Sequence, residues 1–289
     1  MSSLSSFSVS SPMHRFTYKG FPIHIKEYGK GNSDIPLVFI GGAFQNISQI
    51  EKLSLAFAPK TWVIAVDTPG NGETGVLPNN YLFDFVCNAI NHSLVEEMGV
   101  DRINLLGCSY GSIIAMRYAQ MFPNIDRLLL GAAMDSLPED LEYEFNRLLF
   151  LLEWNKREEF AEGFTNLLTN PTLRMTNRLC KLTGLKLKHA LLHSDDGIIE
   201  QFIHNTRRIL TDGTTDLSLM PDIETVVFTG EYDSFTPPES NKRVANAFKR
   251  SRYVSIANAD HMFHVEQFRK TVDTILGGVL DPIKLHIAA

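Results

Sequence analysis

Six short runs of apolar residues constrain the fold of this chain more than any other feature of its sequence. The runs are nearly continuous rather than alternating, and they read IPLVFIGG, TWVIAVD, INLLG, RLLLGAA, ETVVFTG and YVSIA. Such runs are typical of strands that are buried on both faces of a parallel sheet. Ahead of them, FTYKG and IHIKEYG predict a hairpin around Gly20. The pattern predicts an α/β fold in which helices flank a mostly parallel central sheet.

One stretch, residues 135–215, interrupts the alternation of strands and helices. It has helical periodicity throughout, and its length of about 80 residues far exceeds the dozen or so that a crossover between parallel strands requires. We therefore predict a helical cap at 135–215, inserted into a core made of residues 14–134 and 216–289. The other segments with helical periodicity are 81–98, 112–121, 238–250 and 264–279.

The composition narrows the class of protein. The 289 residues carry a formal net charge of −6, which argues against a nucleic-acid partner. Three cysteines, an odd number without metal-ligand spacing, favour a reducing, cytoplasmic location, and we expect neither a metal nor another cofactor. The serine-rich residues 1–13 do not resemble a secretory signal, and we expect them to form a short disordered lead. No run approaches the ~18 apolar residues of a membrane span.

A serine between two glycines gives the first indication of chemistry. Gly107-Cys108-Ser109-Tyr110-Gly111 follows a predicted strand and precedes a predicted helix. The pattern G-x-S-x-G is typical of a nucleophile elbow, a sharp turn that exposes the serine while the next helix directs backbone N–H groups toward it. A glycine-rich phosphate-binding turn is the alternative. A Walker loop, however, requires a lysine directly after its second glycine, and no lysine follows Gly111.

A serine nucleophile needs a base and an orienting acid. After an elbow of this kind, the acid and then the histidine follow later in the chain. Two late strands lead into suitable side chains, since ETVVFTG runs into Glu231 and Asp233, and YVSIA runs into Asp260 and His261. Both placements fit an acid–base pair for Ser109.

Four motifs, taken in the order of the chain, resemble those of the α/β-hydrolase superfamily. FIGGAFQ is similar to its oxyanion loop, VDTPGNGET to the turn after the next strand, VVFTGEYDSFTPP to its acid loop, and NADHMFHVEQF to its histidine loop. The resemblance spans residues 14–280 apart from the cap. It implies a catalytic triad of Ser109, Asp233 and His261, with Glu266 as a trailing carboxylate.

Two positions depart from the superfamily pattern. The oxyanion loop has Gly41-Gly42 where His-Gly is usual, and the glycine it keeps implies backbone N–H donors at Ala43 and Tyr110. Asp260 stands where a glycine usually precedes the histidine. Its carboxylate either raises the proton affinity of the imidazole or points into solvent, and we expect it to point into solvent.

Four residues compete for roles in the site. His264 is the alternative base, although we expect it to be a surface or packing residue. Asp135, after the strand RLLLGAA, and Glu231 are alternative acids. Cys108 adjoins the proposed nucleophile, and we expect its thiol to pack into the core rather than react.

The predicted reaction is covalent acyl transfer through an acyl-Ser109 intermediate. Phe44, Gln45 and Tyr110 are candidate substrate-binding residues, and an apolar pocket would favour an apolar acyl group. The stretch 171–190 carries five lysines and arginines but no acid. It is either a solvated helix face or a docking site for an acidic acyl or peptidyl carrier protein, or for the phosphates of coenzyme A.

The loops GGAFQ, DTPGNGET and GCSYGS also resemble those of a narrower group. They are similar to the hydroxyacyloxyalkanoate synthases of rhamnolipid biosynthesis, which are acyltransferases, and to stand-alone thioesterases. This resemblance implies a small-molecule acyl ester or thioester substrate, linked to a carrier protein or to coenzyme A. A general carboxylesterase, a peptidase-like or C–C bond hydrolase, and a low-turnover ligand-binding or sensing protein stay open as alternatives.

Overall fold

A single sheet organises the molecule. The computed structural model describes residues 11–281, within which eight strands are hydrogen-bonded in the order β1-β2-β4-β3-β5-β6-β7-β8. They are β1 (Met13–Tyr18), β2 (Phe21–Tyr28), β3 (Leu37–Ile40), β4 (Val63–Asp67), β5 (Ile103–Cys108), β6 (Ile125–Gly131), β7 (Glu224–Gly230) and β8 (Arg250–Ile256). β1 and β2 form the predicted hairpin, β2 also pairs antiparallel with β4, and the other pairs are parallel. The predicted α/β fold with a mostly parallel sheet is confirmed.

The ends of the predicted core lie partly outside the described residues. Residues 1–10 of the expected disordered lead and the last residues of the expected core, 282–289, are not described. Within the lead, however, Met13 pairs with Lys26, and the Glu27 N–H donates to the Pro12 carbonyl at 3.0 Å. Ordered structure therefore begins before His14.

Helices cover both faces of the sheet. They are α1 (Ile47–Phe57), α2 (Phe83–Asn91), α3 (Tyr110–Met121), α4 (Glu139–Glu153), α5 (Arg157–Leu168), α6 (Pro171–Thr176), α7 (Arg178–Leu192), α8 (Asp196–Asp212), α9 (Pro238–Asn246), α10 (Phe263–Glu266) and α11 (Phe268–Leu280). α1 and α11 pack on one face, and α2, α3 and α9 pack on the other. Among residues 11–281, no helix combines the length and hydropathy that crossing a bilayer requires.

Helix α1 is not among the predicted helices, although the sequence carries a signal for it. The Asn46 side chain accepts a hydrogen bond from the Gln49 N–H, and the Gln49 side chain accepts one from the Asn46 N–H, so the two residues form a capping box. Ile50 and Phe57 lie seven residues apart and are both buried against the sheet. The capping pair followed by this spacing would have located the helix.

Helices α4 to α8 follow one another between β6 and β7. Their chain leaves and rejoins the core at one place, because the Thr215 N–H donates to the Asp135 carbonyl at 2.8 Å. The inner side of these helices packs on the loop after β3, where Phe44 stacks on Phe202 with ring centroids 4.6 Å apart. Phe164 meets Phe44 edge-on at 5.5 Å. The limits 135–215 stay a prediction, and we refer to this helical insertion as the cap.

Candidate active site

Ser109 occupies a strained turn between β5 and α3. Its φ of 52° and ψ of −118° lie in a region that residues with side chains rarely adopt. The two flanking glycines permit the turn. A Cβ on Gly107 would lie 2.2 Å from the Gly111 carbonyl oxygen, and one on Gly111 would lie 2.5 Å from the Ile40 carbonyl oxygen. Any larger residue at either position would force the strand and helix apart.

Three side chains from three strand ends form a hydrogen-bonded series. His261 Nε2 lies 3.1 Å from Ser109 Oγ, and His261 Nδ1 lies 2.9 Å from Asp233 Oδ2. The residues follow β5, β8 and β7, whose carboxyl ends meet at the same edge of the parallel sheet. Asp233 and His261 are both buried. This is the geometry in which a base can take the serine proton while a carboxylate orients the base.

The Asp233 carboxylate is held by four further donors. The N–H groups of Phe235 and Thr236 donate to Oδ1 at 3.0 and 2.8 Å. The hydroxyls of Thr229 and Thr236 donate to Oδ2 at 2.9 and 2.8 Å. Burial acts to raise the pKa of Asp233, but the charge of His261 and these hydrogen bonds outweigh it and hold the pKa below its usual value. The carboxyl is therefore ionised at neutral pH.

The environment of His261 favours its protonated form. Burial acts to lower the pKa of His261, yet the carboxylates of Asp233, Asp260 and Glu266 outweigh burial and raise the pKa above its usual value. The Phe235 ring packs edge-on against the imidazole, with centroids 4.9 Å apart. An imidazole in this setting is well suited to accept a proton from a neighbouring hydroxyl.

Two backbone N–H groups next to Ser109 are available as donors. Tyr110 begins α3, so its N–H has no partner within the helix. No acceptor for the Ala43 N–H lies among residues 11–281. The Gly42 N–H differs, because it donates to Gln45 Oε1 at 2.7 Å. Ala43 and Tyr110 line the same cavity as Ser109.

Asp260 does not point into solvent, and that expectation was wrong. Its side chain is fully buried and accepts hydrogen bonds from the His261 N–H at 2.7 Å and from the Asn170 N–H of the cap. The Cys180 thiol lies 3.9 Å from Oδ2. Burial raises the pKa of Asp260 to about 6 against the effect of these hydrogen bonds. The carboxyl therefore links the histidine loop to the cap.

The four residues that compete for roles in the site have surroundings unlike those of Asp233 and His261. Asp135 forms an ion pair with Arg243 at 2.9 Å, and Glu231 is exposed. Burial raises the pKa of the Cys108 thiol to about 12, which keeps it protonated. His264 lines the cavity, where burial and the charge of His261 lower its pKa to about 4.

A cavity of about 920 Å³ opens above Ser109 between the core and the cap. Phe44, Gln45 and Tyr110, the predicted substrate-binding residues, all line it. The cap contributes a largely apolar wall that includes Phe145, Phe164, Leu168, Leu187, Leu191 and Phe202. The exposed charged side chains of Lys52, Glu73 and Asp195 also line it. The volume and lining suit a ligand with a substantial apolar portion.

Sequence reasoning missed a buried arginine of the cap that contacts the elbow. Arg208 is fully buried, and its guanidinium donates to the Tyr110 hydroxyl at 3.1 Å and to the Leu77 and Tyr81 carbonyls at 2.9 and 2.6 Å. Asn205 accepts from the same Tyr110 hydroxyl at 3.1 Å. No sequence motif marks Arg208, because three of its acceptors are backbone carbonyls far away in the chain.

The basic stretch 171–190 is divided between paired and exposed cations. Lys188 forms an ion pair with Glu162 at 2.5 Å, and Arg174 donates to Asn166. The exposed cations of α7 are Arg178, Lys181 and Lys186. The same surface carries exposed apolar side chains, which are Met175, Leu179, Leu182 and Leu185.

Comparison with known proteins gives the family. A sequence profile of the family described as alpha/beta hydrolase fold matches residues 35–268. A search of curated protein sequences finds no significant match.

Solved structures of several hydrolases share the fold at low sequence identity. An alpha/beta hydrolase enzyme from a Medee basin deep-sea metagenome library is 18% identical, with a TM-score of 0.79 over 96% of this chain and 100% of the other. The enol-lactonase from Burkholderia xenovorans LB400 is 15% identical, with a TM-score of 0.78 over 93% and 100%. A thermophilic esterase from Thermogutta terrifontis is 18% identical, with a TM-score of 0.76 over 95% and 100%.

Proposed function

The chain belongs to the α/β-hydrolase fold family, and we propose that it is a serine hydrolase or acyltransferase that acts through an acyl-Ser109 intermediate. One observation carries the proposal. The Ser109 hydroxyl, the His261 imidazole and the Asp233 carboxylate are joined by hydrogen bonds of 3.1 and 2.9 Å at the floor of a large apolar cavity. No other group near Ser109 in residues 11–281 combines the same proximity with a raised affinity for a proton.

In the proposed reaction, Ser109 Oγ attacks the substrate carbonyl while His261 Nε2 takes its proton. Asp233 fixes the imidazole with Nδ1 protonated and stabilises the imidazolium that forms. The N–H groups of Ala43 and Tyr110 hold the negative charge on the carbonyl oxygen. His261 then protonates the leaving group, and water or another acceptor, deprotonated by the same imidazole, releases the acyl group.

We further propose that the substrate is an ester or thioester with an apolar acyl group, linked to coenzyme A or to an acyl or peptidyl carrier protein. The apolar wall that the cap contributes to the cavity supports the apolar acyl group. The names of an esterase and an enol-lactonase among the similar structures are in keeping with an ester-type substrate. The exposed cations Arg178, Lys181 and Lys186 on α7 support an acidic carrier.

Active-site labelling tests the catalytic part of this proposal. A fluorophosphonate should label the wild-type protein at one site and should not label Ser109→Ala. Intact mass spectrometry after incubation with a panel of acyl thioesters, aryl esters, peptides and C–C cleavage substrates should then show an acyl adduct, and its mass identifies the acyl group. Absence of labelling would instead favour a ligand-binding or sensing protein on this fold.

Charge reversal tests the carrier-protein part. Lys181→Glu with Lys186→Glu should raise KM for carrier-linked thioesters by about tenfold or more while leaving KM for small aryl esters unchanged. The matched control reverses Lys60 and Lys249, two exposed lysines of the core. Equal effects of the two double variants, or equal effects on both substrate types, would contradict a carrier docking site on α7.

A further inference from the structure

Gln45 connects the oxyanion loop to a second histidine in the cavity. Its Oε1 accepts a hydrogen bond from the Gly42 N–H at 2.7 Å, and its Nε2 lies 3.1 Å from His264 Nε2. The Gln45 N–H also donates to the Gly42 carbonyl at 3.0 Å, which closes the loop into a turn. Gly42 and His264 are thus joined through one amide side chain.

The hydrogen-bonding chemistry of Gly42 and Gln45 determines which nitrogen of His264 carries the proton. A backbone N–H can only donate, so the amide oxygen of Gln45 faces Gly42 and the amide nitrogen faces His264. The amide nitrogen is itself a donor, and it needs an acceptor at His264 Nε2. His264 is therefore neutral, with its proton on Nδ1.

The surroundings of His264 favour this neutral state. Burial and the positive charge of His261 lower its pKa to about 4. The other charged side chains that line the same cavity are those of Lys52, Glu73 and Asp195, and all three are exposed. The pKa values of His264 and His261 are therefore shifted in opposite directions, although the two residues are only three positions apart. The reason is that His261 pairs with the Asp233 carboxylate, whereas His264 bonds to a neutral amide.

The unusual glycine at the start of the oxyanion loop leaves space for the Gln45 side chain. A Cβ on Gly41 would lie 3.0 Å from Gln45 Cβ and 3.3 Å from Gln45 Oε1. A histidine there, as in the superfamily pattern, would displace the amide. The absence of a side chain at position 41 and the inward amide at position 45 thus occur together for a steric reason.

We propose that Gln45 and His264 are positioning residues that hold residues 41–45 so that the Ala43 N–H faces the reacting carbonyl above Ser109. The inference rests on the proposed acyl-transfer function. The Gly42 N–H is already bonded to Gln45, whereas the Ala43 N–H of the same loop has no acceptor among residues 11–281. Gly42 is also the point where the loop touches the nucleophile, because a Cβ there would lie 3.3 Å from Ser109 Cβ.

Removing the amide tests this role in catalysis. Gln45→Met keeps the length of the side chain but loses both hydrogen bonds, and we expect kcat to fall on the order of tenfold to a hundredfold while KM changes less than about twofold. Gln49→Met is the matched control, because Gln49 lines the same cavity but its side chain bonds to the Asn46 N–H and not to the oxyanion loop. A kcat for Gln45→Met within twofold of that of the control would overturn the proposal.

A double-variant cycle tests whether the two residues act as one unit. His264→Phe should lower kcat in the same direction as Gln45→Met, and the double variant should be no worse than Gln45→Met within about twofold. Fully additive losses would mean that His264 acts independently of Gln45 and would contradict the connection.

A change of charge gives a readout that loss of packing would not produce. In Gln45→Glu, an anionic oxygen faces His264 Nε2, so the hydrogen bond forms only when Nε2 carries a proton, and the adjacent negative charge favours the protonated imidazole. We expect the pH optimum of kcat to move toward acid relative to Gln49→Glu, which places the same charge in the same cavity. Identical pH profiles for the two variants would count against the proposal.

The tautomer of His264 separates this inference from the proposed function. ¹⁵N NMR of histidine-labelled wild-type protein near pH 7, assigned with His264→Phe, should show His264 with a protonated Nδ1 and a bare Nε2. A protonated Nε2 would overturn the connection even in an active enzyme. Conversely, an unlabelled Ser109 would refute the proposed function while this tautomer still reports on Gln45.

Discussion

The strand-end loops of the core and the cap above them are fixed by different means. In the core, Ser109 is held by its backbone, whose N–H donates to the Gly131 carbonyl at 2.8 Å, and Asp233 is held largely by donors from its own loop. The cap instead meets the core through side-chain contacts with distant segments, among them the Phe202–Phe44 stack, the hydrogen bonds of Arg208 and the contact of Asn170 with Asp260.

This difference separates the groups proposed to carry out the reaction from the groups that shape the substrate cavity. The proposed catalytic groups depend on local backbone geometry, which any substrate of the same reaction type requires. The cavity wall depends on how the cap sits, and that placement rests on contacts between segments that are distant in the chain. Variants of the core loops should therefore change kcat most, whereas variants of the cap contacts should change stability and substrate preference.

Loss of the nucleophile should have the largest effect. Ser109→Ala should lower kcat on the order of 10⁶, because no acyl intermediate can form without the hydroxyl. The midpoint of urea unfolding should stay close to that of the wild type, since within residues 11–281 the hydroxyl bonds only to His261. Turnover within tenfold of wild type would refute the role of Ser109.

Loss of the Asp233 charge, which orients His261, should have the second-largest effect on kcat. Asp233→Asn should lower kcat by about 10⁴, because an amide can donate to His261 Nδ1 and so favour the wrong tautomer. The matched variant Asp135→Asn alters the competing acid, which is paired with Arg243, and should leave kcat within about threefold of wild type. If Asp135→Asn caused the larger loss, the acid would be misassigned.

Removing a buried cap contact should act mainly on stability. Arg208→Met leaves the carbonyls of Leu77 and Tyr81 without a donor, and we expect the free energy of unfolding to fall by about 3 kcal/mol. Arg207→Met is the control, since Arg207 pairs with Glu153 at the surface and should cost less than about 1 kcal/mol. Urea denaturation of both variants measures the difference, and equal losses would show that Arg208 does not secure the cap.

The smallest effect concerns the contribution of Asp260 to the free energy of unfolding, which should depend on pH. Asp260 has its folded-state pKa raised to about 6, above the unfolded value near 4, so the folded chain binds this proton more tightly. Its contribution to the free energy of unfolding is greatest below pH 4 and declines as the pH rises to 6, by about 2 kcal/mol. Asp260→Asn does not titrate, so the difference between wild type and variant in urea denaturation should follow this decline. A difference that is constant from pH 4 to 7 would contradict the buried, proton-linked contact with the cap.

The sequence predicted the core well because its signals are local. Apolar runs located β3 to β8, and the glycines around Ser109 identified the turn whose close contacts exclude a Cβ. The side chains of Asp233 and His261 were found because each follows a strand directly, and parallel strands bring their carboxyl ends together. Helix α1 could also have been predicted from its capping pair.

The contacts of Asp260, Gln45 and Arg208 could not be predicted in the same way. Aspartates are mostly exposed in proteins, and Asn170 and Cys180 of the cap contact the buried Asp260 carboxyl. Gln45 reaches His264 across 219 residues of sequence, and Arg208 reaches carbonyls more than 120 residues away. Hydrogen bonds to backbone atoms leave no pattern in the partner segment, because every residue offers the same carbonyl.

By itself, then, the sequence determined the sheet, the strained turn at Ser109 and the three side chains that meet there, since strand periodicity and glycine sterics act over a few residues. Only the tertiary structure decided that Asp260 faces the cap, that Gln45 is bonded to His264, and that the cap encloses an apolar cavity. Those features depend on burial and on the meeting of distant segments, and neither is defined until the protein has folded.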